Sequence, residues 1–229
     1  MMFDVSLFTT ALLGRPLAIG ALLTISLSVS VMAVSLAIAM FTGRLATSKN
    51  KAARWTIAVY VWLFRGAPAL LVLLFIWNGL PQIFPGFRGD WFTPFLAAFI
   101  ALTLIQIAYL TEIFRSAYSA VNVGQREGAS ALGLHNGQMF FLVILPQAMR
   151  IALPALVNEF ISLLKSTSLA TIISLSELMT VTQFAIATSF QFLEWYSAAL
   201  VYYLAMVSVL TAIQIRIERK LSRGHRAAV

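Results

Sequence analysis

The chain has 229 residues, of which 60% are hydrophobic and only 10% charged, with a formal charge of +8 and a mean hydropathy of +0.89. Soluble domains carry roughly 25% charged residues, so this composition excludes a soluble globular fold; it fits a bilayer protein with room for five or six spans of ~20 residues. The bases sit at the ends of apolar runs instead of lining one aromatic-laced face, which argues against nucleic acid, and the lack of cysteine excludes disulfides and thiolate chemistry.

Residues 17–42 run without a charge. At 1.5 Å per residue that is ~39 Å, so the helix must tilt or protrude. It is too long for a signal-peptide core and lacks a clear cleavage region, and we read it as a retained anchor. Ser26, Ser30, Ala33 and Ala37 recur at three- and four-residue spacing, a small-residue stripe that predicts close approach of another helix. Residues 43–54 carry four bases and no acid, as a cytoplasmic loop does. The second span, 55–80, is interrupted at Arg65, Gly66, Ala67 and Pro68, which predicts a kinked or two-piece helix because proline lacks a donor and clashes with the preceding turn.

The Pro- and Gly-dense residues 81–90 read as an external loop, and 91–113 as the third span, with Glu112 near its end. Residues 121–150 form a polar, Gly-punctuated island. The fourth span, 151–172, is interrupted by Asn158, Glu159 and Lys165, and no Lys or Arg occurs from 166 to 195, which marks the outside. The fifth span, 195–215, leads into the basic residues Arg216, Arg219, Lys220, Arg223 and Arg226. Twelve of the sixteen Lys and Arg then lie inside, two outside and two within spans. The expected architecture is a single all-α, five-span domain over residues 1–229, with the N-terminus outside, the C-terminus inside and the island in the cytoplasm.

Enzyme chemistry finds little purchase. His135 and His225 lie outside the spans, without a partner at metal-ligand spacing, and no Gly-Lys pair occurs, so the chain lacks a phosphate loop of its own. Charges inside spans are more informative, since each costs ~2.5–3.5 kcal/mol on insertion scales unless partnered or wet. Arg65, Glu112, Glu159 and Lys165 are the candidates. Glu159 and Lys165 would sit ~120° apart on an unbroken helix, too far to face each other. Asn158 and Glu159 therefore point to another helix or a solute, and Lys165, Thr167 and Ser168 offer an ammonium and hydroxyls near the external mouth. Packing or interfacial roles fit Arg65 and Glu112 as well.

Within the island, Gln125 to Leu132 can form two helical turns with Glu127 near the positive end of the dipole, and Gly133 supplies the left-handed stop. A second helix can start near Asn136 and end at Leu145, before Pro146. Ala129, Leu132 and Leu134 offer apolar surface. Such a knob suits a helix-in-groove partner, or else an amphipathic connector lying on the membrane.

Glu127, Gly128 and Ala129, then Gly133, then Val143, Ile144, Leu145 and Pro146, resemble in spacing the EAA loop of permease subunits of bacterial ATP-binding-cassette (ABC) importers. Phe64 to Pro68, Tyr109 to Arg115, Gly124 and Gln125, Asn158 and Glu159, and Lys165 to Leu169 extend the resemblance to the polar amino acid branch, the histidine, glutamine, arginine and opine type. Gly128 stands where that motif usually has Ala, Ala67 where the branch commonly has Thr, and Ser166 where it commonly has Asp.

The resemblance implies a type I importer-like permease subunit in the bacterial inner membrane. It would pair with a like or second permease, receive an amino acid from an external solute-binding protein, and couple to an ATPase subunit that binds ATP and Mg, none of it held by this chain. Gln125, Glu127, Gly128, Ala129, Leu132, Gly133 and Leu134 would make the coupling contact, and Glu112, Asn158, Glu159, Lys165, Thr167 and Ser168 would line the substrate pathway. A passive channel or a membrane scaffold is the alternative that the spans alone leave open.

Overall fold

The structure, a computed structural model, describes residues 3–223; His225 and Arg226 of the basic tail lie outside these, and of Lys220 and Arg223 only the backbone is described. All regular structure among the described residues is helical: α1 (Val5–Leu13), α2 (Arg15–Ala46), α3 (Lys51–Gly66), α4 (Ala69–Ile83), α5 (Pro94–Ala120), α6 (Val123–Ala131), α7 (Asn136–Ile173), α8 (Leu178–Ser189) and α9 (Phe192–Arg223). Helices α2, α5, α7 and α9 are long and apolar enough to cross a membrane, and α3 with α4 makes a fifth span if the broken pair counts as one. The break falls at Ala67 and Pro68, where the ring removes a donor from the ladder.

The chain divides into two compact units: residues up to 33, 67–103 and 160–212 in one, and 34–66, 104–159 and the segment from 213 on in the other. The first is built on Ala11, Leu17, Ala21, Leu178 and Ala198, with Phe8, Trp195, Tyr202 and Met206 packed around them. Between apolar helices in lipid, packing and hydrogen bonds replace hydrophobic expulsion from water, and small residues permit close approach. Gly20 shows this: a Cβ there would lie 2.9 Å from Leu178 Cα. Asp4 caps α1 by accepting from Ser6 N at 2.9 Å and Leu7 N at 3.0 Å, while Tyr202 donates to Leu12 O at 2.8 Å and ties α1 to α9.

In the second unit, Gly43 of α2 lies against α5, where an added Cβ would fall 2.5 Å from Phe114 Cβ. Thr42 and Thr111 share a hydrogen bond beside it, Tyr118 donates to Met40 O at 3.1 Å, and Tyr60 of α3 donates to Leu104 O at 2.6 Å. Side-chain donors thus reach carbonyls of neighbouring helices, and water is not needed to satisfy them.

Two expectations change here. The buried stripe of α2 runs through Thr24, Ser28, Val31, Ser35 and Ala39, whereas Ser26, Ala33 and Ala37 are exposed. Two small-residue stripes interleave on this helix, and spacing alone does not choose between them. The second helix of the island does not end before Pro146 either. A π turn at Phe140–Ile144 widens the ladder so that Leu145 N bonds Phe140 O, and Gln147 Nε2 donates to Val143 O at 3.0 Å. Helix α7 therefore runs from Asn136 through Asn158, Glu159 and Lys165, finishing in a 3₁₀ segment from Thr167 to Ile173. The stretch between the fourth and fifth predicted spans holds a further helix, α8, whose Leu178, Thr180 and Thr182 are buried.

Candidate permease site

The island is a short helix fastened to the ends of longer ones. Asn122 caps α6 by accepting from Gly124 N at 2.8 Å, and Gly133 turns the chain away with φ 75°, a conformation that favours glycine. His135 then starts α7 with a capping box: its Nδ1 accepts from Gly137 N and Gln138 N, and Gln138 Oε1 accepts from His135 N. Two ties fix α6. Arg126 Nη2 donates to Tyr118 O at 2.6 Å, and Gln147 Nε2 donates to Gln125 Oε1 at 3.2 Å. Tyr118 in turn packs edge-on against Phe140, 5.4 Å between centroids.

Of the residues expected to couple, Gln125, Gly128, Ala129, Leu132 and Leu134 line one shallow groove with Val143. Leu132 is 82% exposed and Val123 65%, so an apolar edge stands free beside the exposed Glu127. Ala129 instead faces inward, and the Gln125 carbonyl oxygen is already taken by Gln147. Nothing lies within 4 Å of a Cβ added at Gly128 or Gly133.

The second unit also contains an open cavity of about 580 Å³ lined by Arg65, Tyr109, Glu112, Ala152, Ala155 and Glu159, among others. The Arg65 guanidinium carbon lies 5.2 Å from the centre of the Tyr109 ring, a cation–π contact that steadies a charge with no carboxylate partner among the described residues. Glu112 is gripped by Arg115, one turn on, through three hydrogen bonds of 2.8, 2.9 and 3.1 Å. Glu159 is half-buried and forms no ion pair within 4 Å among the described residues; the Gln106 side chain lies beside it and the Arg65 charge acts on it. The lining of this cavity therefore carries one cation, Arg65, and two carboxylates: Glu112, already held by Arg115, and Glu159, which forms no ion pair among the described residues.

The remaining expected pathway residues are not brought to this cavity. Asn158, one residue from Glu159 and so ~100° around the helix, accepts from Gln214 Nε2 of α9 at 3.3 Å. Lys165, Thr167 and Ser168 belong to the first unit; Lys165 is exposed, and the two hydroxyls donate to Leu164 O and Lys165 O on their own helix. Sequence reasoning missed Gln106 and Glu177. Gln106 is a lone amide in an otherwise apolar run, a signal that was legible. Glu177 is fully buried; it caps α8 by accepting from Thr180 N at 2.8 Å and accepts from the Thr24 and Tyr203 hydroxyls at 3.3 Å. In the sequence it stands only as one of two acids in a segment free of Lys and Arg.

Comparison with known proteins identifies the family and the fold. Residues 35–223 match the family described as "Binding-protein-dependent transport system inner membrane component". The arginine ABC transporter permease protein ArtQ of Escherichia coli is 35% identical over 92% of this chain and 97% of its own, and the glutamine transport system permease protein GlnP of the same species is 37% identical over 96% and 99%. The probable amino-acid ABC transporter permease protein PatM of Vibrio harveyi is 41% identical over 73% of this chain and 74% of its own. Among solved structures, "Crystal structure of an amino acid ABC transporter with histidines" superimposes with TM-score 0.84 at 28% identity, covering 96% of this chain and all of the other. A chain of the inward-facing MetNI methionine ABC transporter shares the fold, with TM-score 0.77 at 18% identity over 90% and 96%. The chain thus belongs to the family of binding-protein-dependent transport system inner membrane components, the permeases of ABC transporters.

Proposed function

We propose that the chain is the permease subunit of an ATP-driven importer of polar amino acids, working with a second permease, a cytoplasmic ATPase that binds ATP and Mg, and an external solute-binding protein. The observation that carries this reading is the cavity in which Arg65 and Glu159 face a common space. An amino acid in its zwitterionic form presents a carboxylate for the first and an ammonium for the second. The relatives named for arginine and glutamine transport support the same substrate class.

The island supplies the other half. With the N-terminus outside and the C-terminus inside, α6 lies in the cytoplasm, and its groove with the free Leu132 edge and Glu127 receives the ATPase. Closure of the ATPases around ATP would move α6, and the ties at Gln125 and Arg126 would pass that motion to the helices lining the cavity.

The test is uptake of labelled arginine, glutamine and histidine into proteoliposomes holding the assembled transporter. Glu159→Gln should lower transport at least tenfold while ATPase binding persists, whereas Glu127→Lys and Gly133→Val should abolish ATP-driven uptake with the chain still membrane-inserted. Unchanged uptake in Glu159→Gln removes the pathway assignment. Solute flux without ATP would instead support a passive channel.

A further inference from the structure

The geometry points to a second binding site, for the phosphate group of an anionic phospholipid, in a cavity separate from the one that Arg65 and Glu159 line. The cavity, about 500 Å³, lies where the end of α2 and the loop after it meet α6 and the start of α7. Three cations line it, Arg44, Lys49 and Arg126, and no carboxylate does. None of the three forms an ion pair among the described residues. Like charges drawn together without a counter-charge repel one another, and a bound anion relieves that cost.

Two of the three are fixed in place. The Arg44 guanidinium carbon sits 4.0 Å from the centre of the Phe140 ring; stacking holds the plane and leaves its edge N–H groups free. Arg126 is anchored at Nη2 by Tyr118 O, while its Nε is buried with no hydrogen-bond partner, an unused donor at the cavity wall. Lys49 is exposed and adds a mobile ammonium at the rim.

A phosphate could come from lipid or from solution, and the apolar side of the cavity favours lipid. Phe41 and Leu45, one helical turn apart on α2 and 62% and 45% exposed, continue from the cation cluster as a greasy strip that suits an acyl chain. A free phosphate has no use for such a strip. Basic pockets between spanning helices at the cytoplasmic surface are where anionic headgroups settle. That the surface is cytoplasmic rests on the topology proposed above, but the affinity for anionic lipid does not.

The assembled transporter, purified from nanodiscs of equal phosphatidylglycerol and phosphatidylcholine, should retain phosphatidylglycerol in excess, measured by mass spectrometry of the bound lipid. Each of Arg44→Gln and Lys49→Gln should cut that excess by about fivefold, the effect of one surface cation. Lys49→Gln changes an exposed side chain, so loss of folding does not confound it. Phe41→Ser should weaken retention with all cations present. No excess in the wild type, or an excess unchanged in the double variant, overturns the proposal. So does binding of inorganic phosphate by the delipidated protein without lipid preference, or loss of the ATPase from the double variant with lipid retention intact, which would make the cavity a protein contact. Lipid retention is read without transport, so failure of the importer reading leaves this result standing, and the reverse.

Discussion

The same chemical change, Gly to Ala, should have opposite effects at two places in one unit. At Gly43 a new methyl would lie 2.5 Å from Phe114 Cβ and 3.3 Å from both Arg115 N and Thr111 O. Carbon atoms rest at ~3.5–4.0 Å, so α2 and α5 must separate by about 1 Å, and a Cβ cannot swing aside as a side-chain tip can. Overpacking of this kind costs about 1–3 kcal/mol, against a gain of ~1 kcal/mol from replacing glycine in a helix. The net is a loss of about 0–2 kcal/mol. At Gly128, inside α6, nothing lies within 4 Å of the added methyl, and the gain of ~1 kcal/mol stands alone. SDS titration of the purified chain in mild detergent, followed by tryptophan fluorescence, should move the unfolding midpoint down for Gly43→Ala and up for Gly128→Ala. If Gly43→Ala is as stable as Gly128→Ala, the close approach of α2 to α5 is wrong.

Glu177→Ala removes the cap of α8 and orphans the Thr24 and Tyr203 hydroxyls, so it should destabilise by about 2–3 kcal/mol, whereas Tyr203→Phe, which deletes one donor to a group with others, should cost about 1 kcal/mol in the same titration. Hydrogen bonds from Leu7 N and Ser6 hold the Asp4 carboxyl below its usual 3.8. A carboxylate whose folded pKa is depressed stabilises above its unfolded value and loses that contribution as pH falls through the folded value, so amide exchange in α1 should accelerate below pH 3.8 in the wild type and show no such step in Asp4→Asn.

The spans were legible because charge-free runs of about twenty residues have few alternatives in a bilayer, and the break at Pro68 because proline removes a donor wherever it sits. Pro146 was misleading for the same reason in reverse. A π turn just before the ring carries the helix past it, with the Gln147 side chain adding a bond to Val143 O, and neither shows in hydrophobic periodicity. Glu159 stood out as a charge in an apolar run and does line a cavity, but the partner that shapes that cavity, Arg65, lies 94 positions earlier, and spacing along one helix is blind to it. Thr167 and Ser168 read as pathway groups because they follow Lys165 near the external mouth; in the structure their protons go to carbonyls of their own helix, the common outcome for such residues in lipid.

The tie between Gln147 and Gln125 bears on how the two halves of the function communicate. Helix α7 starts within the island at Asn136 and carries Glu159 in the cavity lining; from Gln147 to Glu159 is twelve residues, ~18 Å of continuous helix. Pro154 lies between them and removes one hydrogen bond from the ladder, a place for the helix to flex. A push on α6 reaches this helix through the Gln147 amide, which donates both to Gln125 Oε1 and to Val143 O. Gln147→Leu keeps most of the volume and deletes both bonds. It should leave ATPase assembly intact and hydrolysis near the wild-type rate, while amino acid imported per ATP falls at least tenfold. An unchanged import-to-hydrolysis ratio would show that motion enters by another route, the Arg126 bond to Tyr118 O being the next to remove.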